Sequence, residues 1–266
     1  LQIDPRTGKA GAAEFERCIK ASAGFVGICV SAAGMGFPAS DAIYRPFYEV
    51  AIAAKRPVLV LVGYTGTGAG IPGGKGVKLE LCHPRYVDEL AVDYPDLQII
   101  AGRPAWPWQE EMIAIMLHKP NVWAEMHGWS PKYYTDALKR EIRNRMQDRV
   151  MFGADYPLLQ YERLVADWQS LGCSDAVLEK VFYKNAEKLF GATTAKAGGW
   201  AVAAAIPEAT PSAVATTNPR RSIARARRWH KGASSSTINS VRSASGSPCN
   251  GGASARPTPS GPMVRW

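Results

Sequence analysis

Arg149-Val150-Met151-Phe152-Gly153-Ala154-Asp155-Tyr156-Pro157 is the stretch on which the reading of this chain turns. Val150 to Phe152 are apolar and lead into a Gly, an Asp and then a Pro that forbids strand continuation. That is the pattern of a short buried strand delivering one carboxylate at its C-terminal end. In βα architectures ligands sit at that end, so Asp155 is the leading site residue. An Asp after a strand also serves as a turn former or helix N-cap, and the local sequence leaves both readings of Asp155 open.

The segments on either side fall into the same alternation. Asn121 to Met126, Leu97 to Ala101 and Gly24 to Val30 read as strands, and Pro57 to Val62 is the strongest strand signal. Its body holds no polar residue, as expected of a parallel strand buried on both faces. Helical spacing marks Asp41 to Lys55 through Ile43, Phe47, Val50, Ala51 and Ala54. Further helices are predicted over His83 to Tyr94, Trp106 to His118, Pro131 to Met146, Tyr161 to Leu171 and Asp175 to Phe190. Strands alternating with helices in this way predict βα units and a parallel sheet.

The chain has 266 residues and 46% apolar content, enough for a sizeable core. Its formal charge of +9 is confined to one end: residues 192 to 266 carry ten Lys and Arg against the single Glu208, which leaves residues 1 to 191 neutral. Five cysteines, at 18, 29, 82, 173 and 249, show no metal-knuckle spacing. An odd, scattered set predicts reduced thiols and a cytoplasmic location. No run of 18 apolar residues and no charged-then-apolar leader is visible, so a membrane partner is not expected. The loop Gly63 to Gly76 invites comparison with a phosphate-binding loop, but Ala69 stands where that motif needs Gly and Gly76 where it needs Ser or Thr.

Three ordered pieces resemble the amidohydrolase-related (amidohydrolase 2) family, which includes aminocarboxymuconate-semialdehyde decarboxylase and the resorcylate decarboxylases. They are Phe152-Gly153-Ala154-Asp155-Tyr156-Pro157, the segment from His83 to Leu97, and Asn185-Ala186-Glu187-Lys188-Leu189-Phe190. Trp106 to Glu111 and Pro120 to Trp123 fit the same order, and the resemblance runs from about Phe25 to Gly191. It implies an α/β fold, a TIM-like (β/α)8 barrel with one divalent metal, usually zinc, at the C-terminal face. In this family a His-x-His on the first strand, a His after the fifth and an Asp after the eighth hold the metal, and a His after the sixth works on substrate or metal-bound water. Imidazoles and a carboxylate suit such an ion, which acidifies bound water or polarises a substrate oxygen. Asp155 matches the Asp position and is the expected metal ligand.

This chain departs from that pattern at both other positions it contains. Leu61 stands in place of the fifth-strand His and Arg103 in place of the sixth-strand His. Leu has no lone pair for a metal, and Arg stays cationic and is neither ligand nor general base. His-x-His is absent from the sequence. The strands found correspond to the fourth through eighth, so an incomplete barrel of about five βα units is expected, with about three units missing before Leu1. His127, just beyond the strand 121–126, is the best remaining imidazole for the same face. His83 is expected to serve a turn and His118 to sit at a helix end, where its partial charge suits the dipole. Arg103 could pair with Asp155 or hold a substrate carboxylate. Arg103, Trp106 and His127 are the expected substrate-binding residues, with Trp108 also shaping the mouth.

After Gly191 the composition turns to Ala, Ser, Thr, Gly, Pro and Arg, which predicts a partial barrel domain over 1–191 and a disordered tail over 192–266. The run Arg220 to Trp229 could neutralise phosphates and stack a base; a solvated tail, or translation of a shifted reading frame, are the plainer alternatives to nucleic-acid binding. The expected reading is a metal-dependent hydrolase or decarboxylase of a small carboxylated substrate, impaired by the lost histidines. The alternative is a non-catalytic fragment or degenerate homologue. Open edges on an unclosed sheet also predict self-association into a homo-oligomer.

Overall fold

Short β-branched runs set the sheet, and the structure, a computed structural model, describes residues 1–191 of the chain. The strands are β1 (Ile28–Val30), β2 (Val58–Leu61), β3 (Ile99–Gly102), β4 (Val122–Glu125) and β5 (Val150–Met151). They form one five-stranded sheet in the order β1-β2-β3-β4-β5, with every pairing parallel. Register runs straight across it: Val60 lies beside Ala101, Ala101 beside Ala124, and Ala124 beside Val150. The free side of β1 is met by the first residues of the chain, where Gln2 bridges Cys29 in parallel sense and Cys29 N donates to Leu1 O at 2.7 Å.

Helices return the chain between strands: α1 (Gly8–Ala21), α2 (Ala32–Met35), α3 (Arg45–Ala53), α4 (Arg85–Asp93), α5 (Gln109–His118), α6 (Asp136–Arg143), α7 (Tyr161–Gln169), α8 (Asp175–Glu179) and α9 (Asn185–Phe190). The α/β alternation expected from the sequence is present, but α1 precedes the first element its pattern picked out. Phe15 and Ala12 of α1 bury against the sheet's helix layer, so this segment belongs to the fold.

Several boundaries move for local reasons. The helix expected from Pro131 splits into a 3-10 turn, Pro131–Tyr133, and α6, because Thr135 leaves helical backbone and caps Leu138 N. The helix expected from Trp106 starts at Gln109, after a turn in which Ala105 takes a left-handed conformation (φ 56°). The last helix is interrupted by a π-helical turn over Lys180–Lys184, where Val181 O accepts from Phe152 N at 2.8 Å rather than serving only the helix.

Strand periodicity divides the core. Val58, Val60, Ile99, Ala101, Val122, Ala124 and Val150 face the helix layer and join one large cluster with Phe47, Leu90, Met116, Ile142 and Trp168. The alternate residues Leu59, Ile100, Trp123 and Met151 form a smaller cluster with Ala186, Leu189 and Phe190 on the opposite face. No helix among the described residues is long and apolar enough to cross a membrane. The tail expected to be disordered, 192–266, and its Arg-rich run lie outside the described residues.

Candidate active site

The C-terminal strand ends bring the sequence candidates to one side of the sheet. Leu61 closes β2, Arg103 follows β3, Glu125 closes β4 with His127 two residues on, and Asp155 follows β5. Register explains why these residues share a level: Leu61 pairs with Gly102, Gly102 with Glu125, and Glu125 with Met151.

Glu125 is the feature that sequence reasoning missed. It is only 6% exposed, although it carries a carboxylate into a layer otherwise made of Leu59, Ile100, Trp123 and Met151. Gly153 makes room for it: a Cβ there would fall 1.3 Å from Glu125 Oε1. Its other oxygen, Oε2, is hydrogen-bonded to His127 Nδ1. The imidazole in turn lies beside two glycines, since a Cβ on Gly102 would come within 3.0 Å of His127 Cε1 and one on Gly153 within 2.9 Å of His127 Cβ. The single charged residue in an apolar strand reading was the available signal. Its partner was legible, but the glycine slot depends on register across three strands.

Asp155 sits differently. It is exposed and left-handed (φ 60°), and its backbone carbonyl accepts from Leu158 N at 2.9 Å, so the turn-forming role is real. Its carboxylate passes 3.4 Å from where a Cβ of Gly128 would be, next to His127 in the chain. The idea that Arg103 pairs with Asp155 is corrected: Arg103 Nη1 donates to Tyr64 O at 3.2 Å and Arg103 N to Glu125 O at 2.7 Å. Arg103 is itself left-handed (φ 78°), which turns the chain sharply after β3.

Aromatic rings wall this end. Trp106 lies 5.7 Å from Trp129, Tyr64 6.0 Å from Trp106, and Tyr133 6.3 Å from Trp129, centroid to centroid. Trp106 remains 45% exposed. Trp108, expected at the mouth, packs instead against His83 at 4.7 Å. His83 serves the expected turn, accepting from Arg85 N at 3.2 Å, with Nε2 3.3 Å from Glu111. His118 ends α5 as expected, 3.1 Å from Lys119 Nζ.

The donor set does not fit a divalent metal. Among the described residues no three His, Cys, Asp or Glu side chains converge as a metal site. Leu61 and Arg103 offer no donor, and Glu125 Oε2 is engaged by His127. Thiolate chemistry is also disfavoured, because burial pushes the Cys29 and Cys82 thiols up despite the pull of the Arg103 charge. The inner face leaves a cavity of about 130 Å³ that Glu125 borders together with Leu1, Pro57, Leu59, Met151 and Phe190.

Comparison with known proteins places these features in context. The amidohydrolase family pattern matches residues 1–192. Similar solved structures include an uncharacterized TIM-barrel protein from Bordetella bronchiseptica, 19% identical, covering 71% of this chain and 64% of that one, with TM-score 0.58. A dihydroxybenzoic acid decarboxylase from Polaromonas sp., solved with manganese and 2-nitroresorcinol, is 22% identical, covers 70% of this chain and 66% of that one, and has TM-score 0.50. A 2,6-dihydroxybenzoate decarboxylase complexed with 2,6-dihydroxybenzoate is 18% identical, covers 71% and 69%, and has TM-score 0.55. At these identities the likeness concerns the fold, and the chain spans just under two thirds of the first two structures. No curated protein sequence matches the chain.

Proposed function

Because the chain belongs to the amidohydrolase family, we propose that it derives from a metal-dependent hydrolase or decarboxylase of a small, carboxylated aromatic substrate and keeps that site's substrate-facing wall without its metal shell. One observation carries this reading: with Leu61 ending β2 and Arg103 at the turn just after β3, no three ligating side chains converge among the described residues. Asp155 is then the residual carboxylate of the metal position. Zinc or manganese would supply Lewis acidity in a family member that holds the ion; here no step is assigned to an ion.

The wall keeps a plausible binding chemistry of its own. The Arg103 guanidinium is a fork suited to a carboxylate, Trp106 offers a half-exposed ring face for an aromatic substrate, and His127 a polar edge. The family match ends at residue 192, which supports closing the domain at Gly191. The test is release of carbon dioxide from 2,6-dihydroxybenzoate by the full-length chain, with and without added manganese. The expected rate is the uncatalysed background in both. A manganese-dependent turnover would overturn the proposal.

A further inference from the structure

We propose that Glu125 and His127 form a metal-independent acid–base pair, in which His127 Nε2 exchanges a proton with a planar, weakly acidic aromatic compound and Glu125 orients the imidazole. The proposal uses the mouth identified by the family reading, but neither a metal nor Asp155.

Three features support it. An ionised carboxylate only accepts hydrogen bonds, so Glu125 Oε2 accepts from His127 Nδ1, and in the neutral imidazole the lone pair is then the one on Nε2. Nε2 makes no hydrogen bond among the described residues and is absent from their enclosed, unpartnered polar atoms. The His127 side chain is 13% exposed, and its ring is held by the contact at Nδ1. The pair is also built rather than incidental, since Gly102 at the end of β3 and Gly153 just after β5 vacate the space that the imidazole and carboxylate occupy. Finally, a 6% exposed carboxylate among Leu59, Ile100 and Met151 serves stability poorly. An apolar side chain of similar volume would suit that layer better.

A base oriented by a carboxylate is the arrangement that general acid–base chemistry requires. In the proposed step the substrate's acidic C–H or O–H bond breaks, its electron pair stays on the substrate, and the proton becomes the Nε2–H of an imidazolium beside Glu125. The reverse transfer returns it to the product. The rings of Tyr64, Trp106 and Trp129 at the same end favour a flat molecule.

The probe is 5-nitrobenzisoxazole, whose C3 proton is taken by a base as the N–O bond breaks. The C3–H electron pair completes the nitrile and the N–O pair goes to the phenolate, a coloured product. Full-length protein in EDTA should open the ring saturably and about 100-fold faster than an equal concentration of free imidazole, with no change on adding manganese. His127→Ala should fall to background and recover partly when free imidazole is supplied. Glu125→Leu should lower the rate about tenfold, and long-range nitrogen NMR should show His127 mixed between tautomers where the wild type shows Nδ1–H alone. Glu125→Ala, which also removes the acceptor, provides the same readouts if the Leu variant does not fold. A wild-type rate no better than free imidazole, or full activity in His127→Ala, would overturn the pair. Neither result depends on the 2,6-dihydroxybenzoate assay, so the two proposals fail separately.

Discussion

On the helix-covered face of the sheet, Val58, Val60, Ile99, Ala101, Val122, Ala124 and Val150 are each at most 2% exposed and meet a continuous layer of helix side chains. On the other face, Leu59, Ile100, Trp123 and Met151 have mainly Ala186, Leu189 and Phe190 against them, and Leu59, Ile100 and Met151 border a cavity of about 130 Å³ that Glu125 also lines. The first face holds the strands in register, and the second carries the buried carboxylate of Glu125. Stability and site are thus separable to a useful degree, because successive residues of one strand serve different faces.

Ile99 and Ile100 put that separation to its hardest test, being the same residue type side by side on β3. Ile99 is wholly enclosed, and Ile99→Ala should cost about 3–5 kcal/mol. Ile100 already borders empty space, so fewer contacts are lost and Ile100→Ala should cost about 2 kcal/mol. Urea unfolding of the two variants measures the difference; equal costs would break the contrast.

A smaller effect sharpens it at the site. Gly153→Ala places a methyl where Glu125 Oε1 now lies and should cost about 1–3 kcal/mol. Most of that cost should vanish in a Glu125→Ala background, and a double-mutant cycle reads the coupling directly. Additive costs would mean that the carboxylate is not what fills the space.

The smallest effect belongs to neither face. On α6, hydrogen bonds from Arg145 and then Arg140, after the opposing effect of burial, hold the Glu141 carboxyl at about 2, below its ordinary 4.5. Because the folded-state value is depressed, the stabilisation is complete above the unfolded value and is lost as pH falls from about 4.5 through about 2. Both arginines are more than 60% exposed, so Glu141→Gln should cost no more than about 1 kcal/mol at neutral pH. The variant and wild type should converge in acid unfolding near pH 2.

The sequence made the helix-covered face legible because apolar periodicity is a local property: Val58 to Leu61 and Asn121 to Met126 declare themselves without their neighbours. It missed α1, whose buried face consists of Ala12, Phe15 and Cys18, small or single residues that give a faint stripe. At the site, His127 and Arg103 were visible as residue types at strand ends. Their partners were not, since Arg103 turning to Tyr64 rather than Asp155 follows from a left-handed backbone. Glu125 was invisible for a related reason: only register places Gly153 beneath it. Side-chain chemistry could be read from one stretch, whereas geometry had to come from several.

We propose that this family member has a metal-free mouth where the family carries a metal shell. Manganese bound per chain, measured on the full-length protein after equilibration with the ion and removal of excess, tests it most directly. The account predicts far less than one ion per chain. One tightly held equivalent, retained by the folded protein and displaced by zinc, would contradict it.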